Sequence, residues 1–248
     1  MANVYFLSYD LLVKQDAPAP GAVELIRRLV KKTERFMILC ESTVYARRRM
    51  SERMYEIGFP LLSDDLFYTS LNAAMDIIAH RYPGHKKAML IGTRSLKDEL
   101  ENNGFRVNDG EADWVFVGMD RNATYAQYSA AVKVLQSGAR IITLGCESLT
   151  AAGEIGCGAV AAMLEAASDQ KRLSTGWDSR LMIQCAMRHF NLEEEEVLFV
   201  SDRLEPEIAS AVRAKVRTVY VLPSPDTDLS EIVIKPTYVM ESLSSISR

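Results

Sequence analysis

Val4-Tyr5-Phe6-Leu7-Ser8-Tyr9-Asp10 decides how this chain reads. Four apolar or aromatic residues in a row, without polar alternation, describe a strand buried on both faces, the kind found in parallel sheets covered by helices. Beyond it, Pro20-Gly21 opens a helix with an apolar face of Val23, Ile26, Leu29 and Val30, and Phe36-Met37-Ile38-Leu39 forms a second buried strand. A helical pattern over about 44–57 then ends at Gly58, a residue suited to the left-handed position that closes a helix. The same alternation returns near the far end, where Val197-Leu198-Phe199-Val200 and Thr218-Val219-Tyr220-Val221 flank a helix over about 206–214.

Between these segments runs a second series. Helices near 72–81, 95–102, 125–136 and 158–167 alternate with the strands Ala88-Met89-Leu90-Ile91, Trp114-Val115-Phe116-Val117 and Arg140-Ile141-Ile142-Thr143. Strand and helix in strict alternation imply an α/β fold with parallel sheets. The expected organisation is a split core domain, residues 1–65 and 172–248, holding an inserted α/β domain, residues 66–171.

Composition narrows the function classes. With 248 residues, 48% hydrophobic and 25% charged, the chain has the make-up of an ordinary globular protein. A net charge of -4 provides no broad positive surface for nucleic acid or anionic membrane. The single basic run, Arg47-Arg48-Arg49, reads as a solvated helix face or, alternatively, as a contact for an anion. Cys40, Cys146, Cys157 and Cys185 are widely spaced, with no CxxC pair, which fits a reducing compartment. No apolar stretch approaches the roughly 20 residues needed to span a bilayer, and no leader pattern is visible, so a cytoplasmic location is expected.

In open parallel sheets, ligands gather at the carboxyl ends of the strands, which directs attention to four places. These are Ser8-Tyr9-Asp10, Cys40-Glu41-Ser42-Thr43, Thr175-Gly176-Trp177-Asp178 and Ser201-Asp202-Arg203-Leu204-Glu205-Pro206-Glu207. Together with Pro20-Gly21-Ala22-Val23-Glu24, Val117-Gly118-Met119-Asp120-Arg121-Asn122-Ala123-Thr124, Gly156-Cys157-Gly158-Ala159 and Lys235-Pro236-Thr237-Tyr238-Val239, they resemble the haloacid dehalogenase superfamily, in its nitrophenyl-phosphatase branch (subfamily IIA). The resemblance covers nearly the whole chain. It implies a Rossmann-like core with an inserted cap, magnesium as cofactor, and transfer of a phosphoryl group from a small phosphorylated metabolite.

It also assigns roles by position. The family's first motif carries two aspartates, a nucleophile and a general acid and base; here Ser8 stands at the nucleophile position and Asp10 at the acid/base position. No shift of register restores an aspartate pair. A serine hydroxyl is almost fully protonated at neutral pH and is a poor nucleophile without an adjacent base. The second motif binds phosphate through a hydroxyl; Cys40, Glu41 and Ser42 occupy it, and the Glu41 carboxylate would repel a phosphate oxygen. Cys40 reads as a small buried residue or, alternatively, as a reactive thiol. The third motif normally supplies a lysine, for which Trp177 is substituted, either filling space or offering a stacking surface. Phosphoryl transfer depends on electrostatic stabilisation that an indole does not supply. Asp202 and Glu207, in the fourth motif, are the remaining magnesium ligands, with an affinity weakened by Ser8, although Asp202 could equally serve as a helix cap. The cap loop Leu144-Gly145-Cys146-Glu147 departs from the family's substrate-facing pattern, whereas the Asp120-Arg121-Asn122 turn is retained and reads as maintaining the cap's own packing.

Two functional expectations follow. The first is a catalytically impaired phosphatase homologue that acts by binding a metabolite or a protein partner; the second is an active magnesium-dependent phosphomonoesterase built on Asp10, Asp202 and Glu207. Homodimerisation through the cap is implied by the resemblance alone.

Overall fold

The structure is a computed structural model, and it describes residues 4–108, 110–224, 226–227 and 233–246. In chain order the strands are β1 (Val4–Ser8), β2 (Val13–Lys14), β3 (Ala17–Pro18), β4 (Phe36–Cys40), β5 (Phe67–Thr69), β6 (Lys87–Ile91), β7 (Arg106–Val107), β8 (Trp114–Val117), β9 (Arg140–Thr143), β10 (Leu173–Ser174), β11 (Val197–Ser201), β12 (Arg217–Val221) and β13 (Tyr238–Met240). The helices are α1 (Tyr9–Leu12), α2 (Ala22–Lys31), α3 (Arg47–Glu56), α4 (Ser70–Arg81), α5 (Arg94–Asn102), α6 (Tyr125–Gln136), α7 (Cys157–Ser168), α8 (Leu181–His189) and α9 (Ala209–Arg213). The α/β class expected from the sequence is the class observed.

The chain divides into two units. Unit 1 comprises Met1–Cys40, Arg47–Tyr68 and Ala186–Arg248, and unit 2 comprises Glu41–Ala46 and Thr69–Cys185. This division differs from a boundary at 65/66 and 171/172 in giving residues 41–46 and 172–185 to the second unit and residues 66–68 to the first. The reason is local pairing: β10 pairs with β9, and the Met119 N–H donates to the Thr43 carbonyl at 2.8 Å.

Unit 1 carries a six-stranded sheet in the order β13-β12-β11-β1-β4-β5. At its centre β1 pairs in parallel with both β4 and β11, and each of these three strands is buried along nearly its whole length. That burial explains the unbroken apolar runs. Beside it, α2 buries Ala22, Leu25, Ile26 and Leu29, while Val30, expected on the apolar face, is 49% exposed. Gly58 closes the turn after α3 with φ of +102°, in the left-handed region expected of it. The three arginines at the start of α3 are solvated and paired with acids: Arg47 with Asp65, Arg48 with Glu52, and Arg49 with Glu52 and Glu56.

Unit 2 carries a five-stranded parallel sheet in the order β10-β9-β8-β6-β7. Alternation along β8 divides its core into two layers. Trp114 and Phe116 pack with Leu71, Leu96 and Phe105 on one face, while Val115 and Val117 pack with Ala131, Leu135 and Leu164 on the other. Thr69 and Thr124 cap α4 and α6 through reciprocal side-chain and backbone bonds with Asn72 and Gln127, which sets where both helices begin. Among the described residues, no helix is long and apolar enough to cross a membrane.

Candidate functional site

In unit 1 the parallel register aligns Leu7 with Val200, so the next residues, Ser8 and Ser201, end adjacent strands together. Both are buried. The chain turns after Ser8 into α1, which carries Asp10, and after Ser201 into the turn Leu204–Ile208, which carries Glu207. Four of the residues singled out from the sequence, Ser8, Asp10, Asp202 and Glu207, therefore fall at one end of one sheet.

Their partners are charged. The Lys14 ammonium reaches both oxygens of Asp202, at 3.0 Å from Oδ1 and 2.8 Å from Oδ2. Arg203 Nη1 lies 3.3 Å from Asp10 Oδ2 and 3.6 Å from Glu207 Oε1. The Ser201 hydroxyl donates to Glu207 Oε2 at 2.6 Å and accepts the Arg203 N–H at 2.9 Å. Burial pushes the Glu207 carboxyl up to about 7, the Asp10 charge adds to that rise, and Ser201, Ser8 and Arg203 oppose it. The Ser8 hydroxyl is close enough to act on Glu207 in this way, yet Ser8 Oγ and Glu207 Oε1 are buried without a hydrogen bond of good geometry. No histidine or lysine is among these contacts of Ser8; the titratable group beside its hydroxyl is the Glu207 carboxyl.

Lys14 was not singled out in the sequence. It sits on the β2–β3 hairpin, whose two turn residues, Gln15 and Asp16, have φ of 48° and 59°. Two left-handed residues in succession give the turn twist that matches paired strands. Asp16 is in turn paired with Arg53 on α3. The one available signal was a lysine shortly after Asp10, and nothing in the sequence links it to Asp202.

Cys40, at the end of β4, is buried in unit 1 as the small-residue reading expects. The following segment belongs to unit 2. The Ser42 hydroxyl is engaged in its own turn, donating to the Tyr45 carbonyl at 2.5 Å and accepting the Tyr45 N–H at 3.1 Å. Glu41 has a different surrounding. Its Oε1 accepts the Cys146 N–H at 2.9 Å and its Oε2 accepts the Trp177 N–H at 2.5 Å, with Cys146 Sγ 3.6 Å from Oε2. Gly145 and Gly176 make room for it, because a Cβ would stand 2.8 Å from Glu41 Oε1 at the first and 2.7 Å from Oε2 at the second. The Trp177 side chain is only 2% exposed, in agreement with a space-filling role.

Burial pushes Glu41 up to about 7, outweighing the two N–H donors that pull it down. Cys146 and Cys157 are each pushed up to about 12, first by burial and then by the Glu41 charge, so neither supplies a thiolate nucleophile. Glu41, Trp177 and the departed cap loop are thus joined in one place in unit 2, while the carboxylates lie in unit 1. The Asp120-Arg121-Asn122 turn packs within unit 2: Asp120 Oδ1 accepts the Asn122 N–H, and Arg121 makes a two-pronged pair with Glu154. It lies beside a cavity of about 460 Å³ between α6 and α7, lined largely by apolar residues such as Ile91, Ile155 and Met163. No group of three or more potential metal ligands is formed by the described histidines, cysteines and acids.

A model of haloacid dehalogenase-like hydrolases matches residues 9–106, and a second HAD-like hydrolase model matches residues 176–246. The chain belongs to the haloacid dehalogenase-like hydrolase family. The ribonucleotide monophosphatase NagD of Escherichia coli K12 is 26% identical over 238 residues, covering 95% of this chain and 94% of its own length. Human chronophin is 28% identical over 242 residues, with 89% and 80% covered. Among solved structures, E. coli NagD superposes with a TM-score of 0.89 at 26% identity, covering 99% of both chains. A Thermotoga maritima 4-nitrophenylphosphatase shares the fold, with a TM-score of 0.87 at 23% identity and coverage of 98% and 95%. These relatives place the chain in the nitrophenyl-phosphatase-like branch of the family, and it is a homologue of phosphatases within a family that generally depends on magnesium.

Proposed function

We propose that this haloacid dehalogenase-like chain is a catalytically impaired phosphatase homologue that acts by binding a small phosphorylated metabolite or a protein partner. The observation that carries the reading is the occupation of its strand ends by its own charges. Lys14 spans both oxygens of Asp202, Arg203 sits against Asp10 and Glu207, and Ser8 brings a neutral hydroxyl to the nucleophile position. In unit 2 the Glu41 carboxylate takes the Cys146 and Trp177 amides, which removes two donors from any incoming anion.

The carboxylates do not fit a divalent cation in this arrangement. Magnesium prefers hard, charged oxygens with near-octahedral access, and here each carboxylate already has a protein cation beside it. Weak magnesium affinity is part of the same reading, and no step is assigned to the metal. Asp10, freed of Arg203, would be the residue able to move a proton; without a nucleophile it has no phosphoryl intermediate to serve. A cytoplasmic location and a cap-mediated homodimer complete the proposal.

Restoration tests it. Ser8→Asp combined with Trp177→Lys is expected to raise magnesium-dependent kcat/KM for an aryl phosphate by about 10²-fold or more over the wild-type chain, since each restored contact carries an effect of that order. Wild-type turnover equal to that of the restored protein would overturn the reading.

A further inference from the structure

The geometry at the carboxyl end of β1 points to Lys14 as a tethered replacement for the divalent cation: its ammonium sits on Asp202 while the Arg203 guanidinium sits beside Asp10 and Glu207, so the strand-end carboxylates have their positive charge without a metal. This inference rests on the reading above in taking Asp10, Asp202 and Glu207 as the family's strand-end carboxylates, and it adds the residue that has taken over the cation's part.

Charge counting favours it. Three carboxylates, Asp10, Asp202 and Glu207, face two fixed positive charges, Lys14 and Arg203, so at most one negative charge is left uncompensated. A divalent ion added to that set would bring the positive charge to four against three. Repulsion between the ion and an ammonium 3 Å from the shared carboxylate is strong in a partly desolvated site.

Geometry favours it as well. Lys14 contacts both Asp202 oxygens, and the Asp202 side chain is only 14% exposed. The lysine is also delivered by a structured element. Its hairpin is closed by the Lys14–Ala17 pairing and fastened through Asp16 to Arg53 on α3, which limits the freedom the ammonium would lose in binding. Lysine suits the place because it is a compact point charge on a flexible stem, able to sit across a carboxylate edge.

The test is a set of magnesium titrations of the full chain, read by thermal unfolding and by calorimetry against sodium chloride at matched ionic strength. Wild-type Tm should be unmoved by magnesium. Ser8→Asp, which supplies a further anionic ligand, should bind magnesium about tenfold more tightly once Lys14→Ala is added. The doubly substituted chain should show a magnesium-specific Tm rise of about 2–4 °C. Lys14→Arg in the Ser8→Asp background preserves the charge and should keep magnesium affinity low, separating charge from the mere removal of a side chain. Lys14 is 44% exposed, so its replacement is expected to be tolerated, and the Ser8→Asp chain, changed at a buried position, is the common background against which both Lys14 variants are read once it is shown to unfold cooperatively. Magnesium stabilisation of the wild-type chain, or equal magnesium affinity with and without Lys14, would overturn the inference. The two failures are distinguishable: magnesium binding without turnover sinks the tethered cation, and with it the weak metal affinity of the reading above, but leaves the loss of catalysis standing, whereas turnover without magnesium stabilisation sinks the impaired-enzyme reading.

Discussion

Two buried carboxylates, one in each unit, meet the same difficulty by different means. Glu207 in unit 1 and Glu41 in unit 2 are both pushed up to about 7, and in both cases burial is the largest cause. Glu207 is surrounded by a guanidinium and hydroxyls, inside a cluster where Lys14 neutralises the neighbouring Asp202. Glu41 is held by two backbone amides in space that two glycines leave open. Partners offset desolvation in either design without reversing it. The difference shows that the departures of this chain from its family are arranged in local sets: a cation set at the ends of β1 and β11, and an amide set around Glu41.

Disrupting the amide set should have the largest effect. Trp177→Ala removes a buried indole beside the amide that holds Glu41 and is expected to destabilise the chain by roughly 3–5 kcal/mol, measured by urea unfolding. A change below about 1 kcal/mol would mean that the indole does not fill that space.

The next effect concerns pH. Glu41 titrates from an ordinary value of 4.5 when unfolded to about 7 when folded, so between these pH values the folded chain holds the extra proton. Its contribution is therefore fully present below about pH 4.5 and is lost as pH rises through about 7, a swing on the order of 3 kcal/mol. Unfolding of wild type and Glu41→Gln at about pH 5 and about pH 8 isolates it: the wild type should lose more stability between the two than the variant does. Parallel losses in the two proteins would remove Glu41 from the comparison.

The smallest effect sharpens the steric half of the argument. Gly176→Ala places a methyl 2.7 Å from Glu41 Oε2 and 3.0 Å from the Cys146 nitrogen, and a cost of about 1–3 kcal/mol is expected. In a Glu41→Ala background the cost should shrink, because two of the three close contacts are to the Glu41 carboxylate; a double-mutant cycle measures that coupling.

Much of the fold was legible because its central strands are buried on both faces and therefore spell continuous apolar runs. The bounds of β8 and β9 coincide with those read from the sequence, and Gly58 closes its helix as expected. The short strands β2, β3, β5, β7 and β10 escaped notice, since two or three residues show no period. The buried face of α2 was also misjudged by one position in its turn, with Leu25 inside and Val30 outside.

At the candidate site, residue types were legible and pairings were not. Ser8, Glu41, Trp177 and the Gly145-Cys146 loop each stood out singly as departures. That Glu41 meets Cys146 across 105 positions and Trp177 across 136, or that Lys14 meets Asp202 across 188, depends on how the sheets assemble. Side-chain partners at such separations leave no periodic trace in one sequence.

The most direct test of the central claim is magnesium-dependent hydrolysis of an aryl phosphate by the wild-type chain, beside Asp10→Asn prepared in parallel. The two proteins should give the same residual rate, at the level of the preparation's background. A wild-type rate that stands well above background and falls away in Asp10→Asn would contradict it, and would make this chain a working phosphatase.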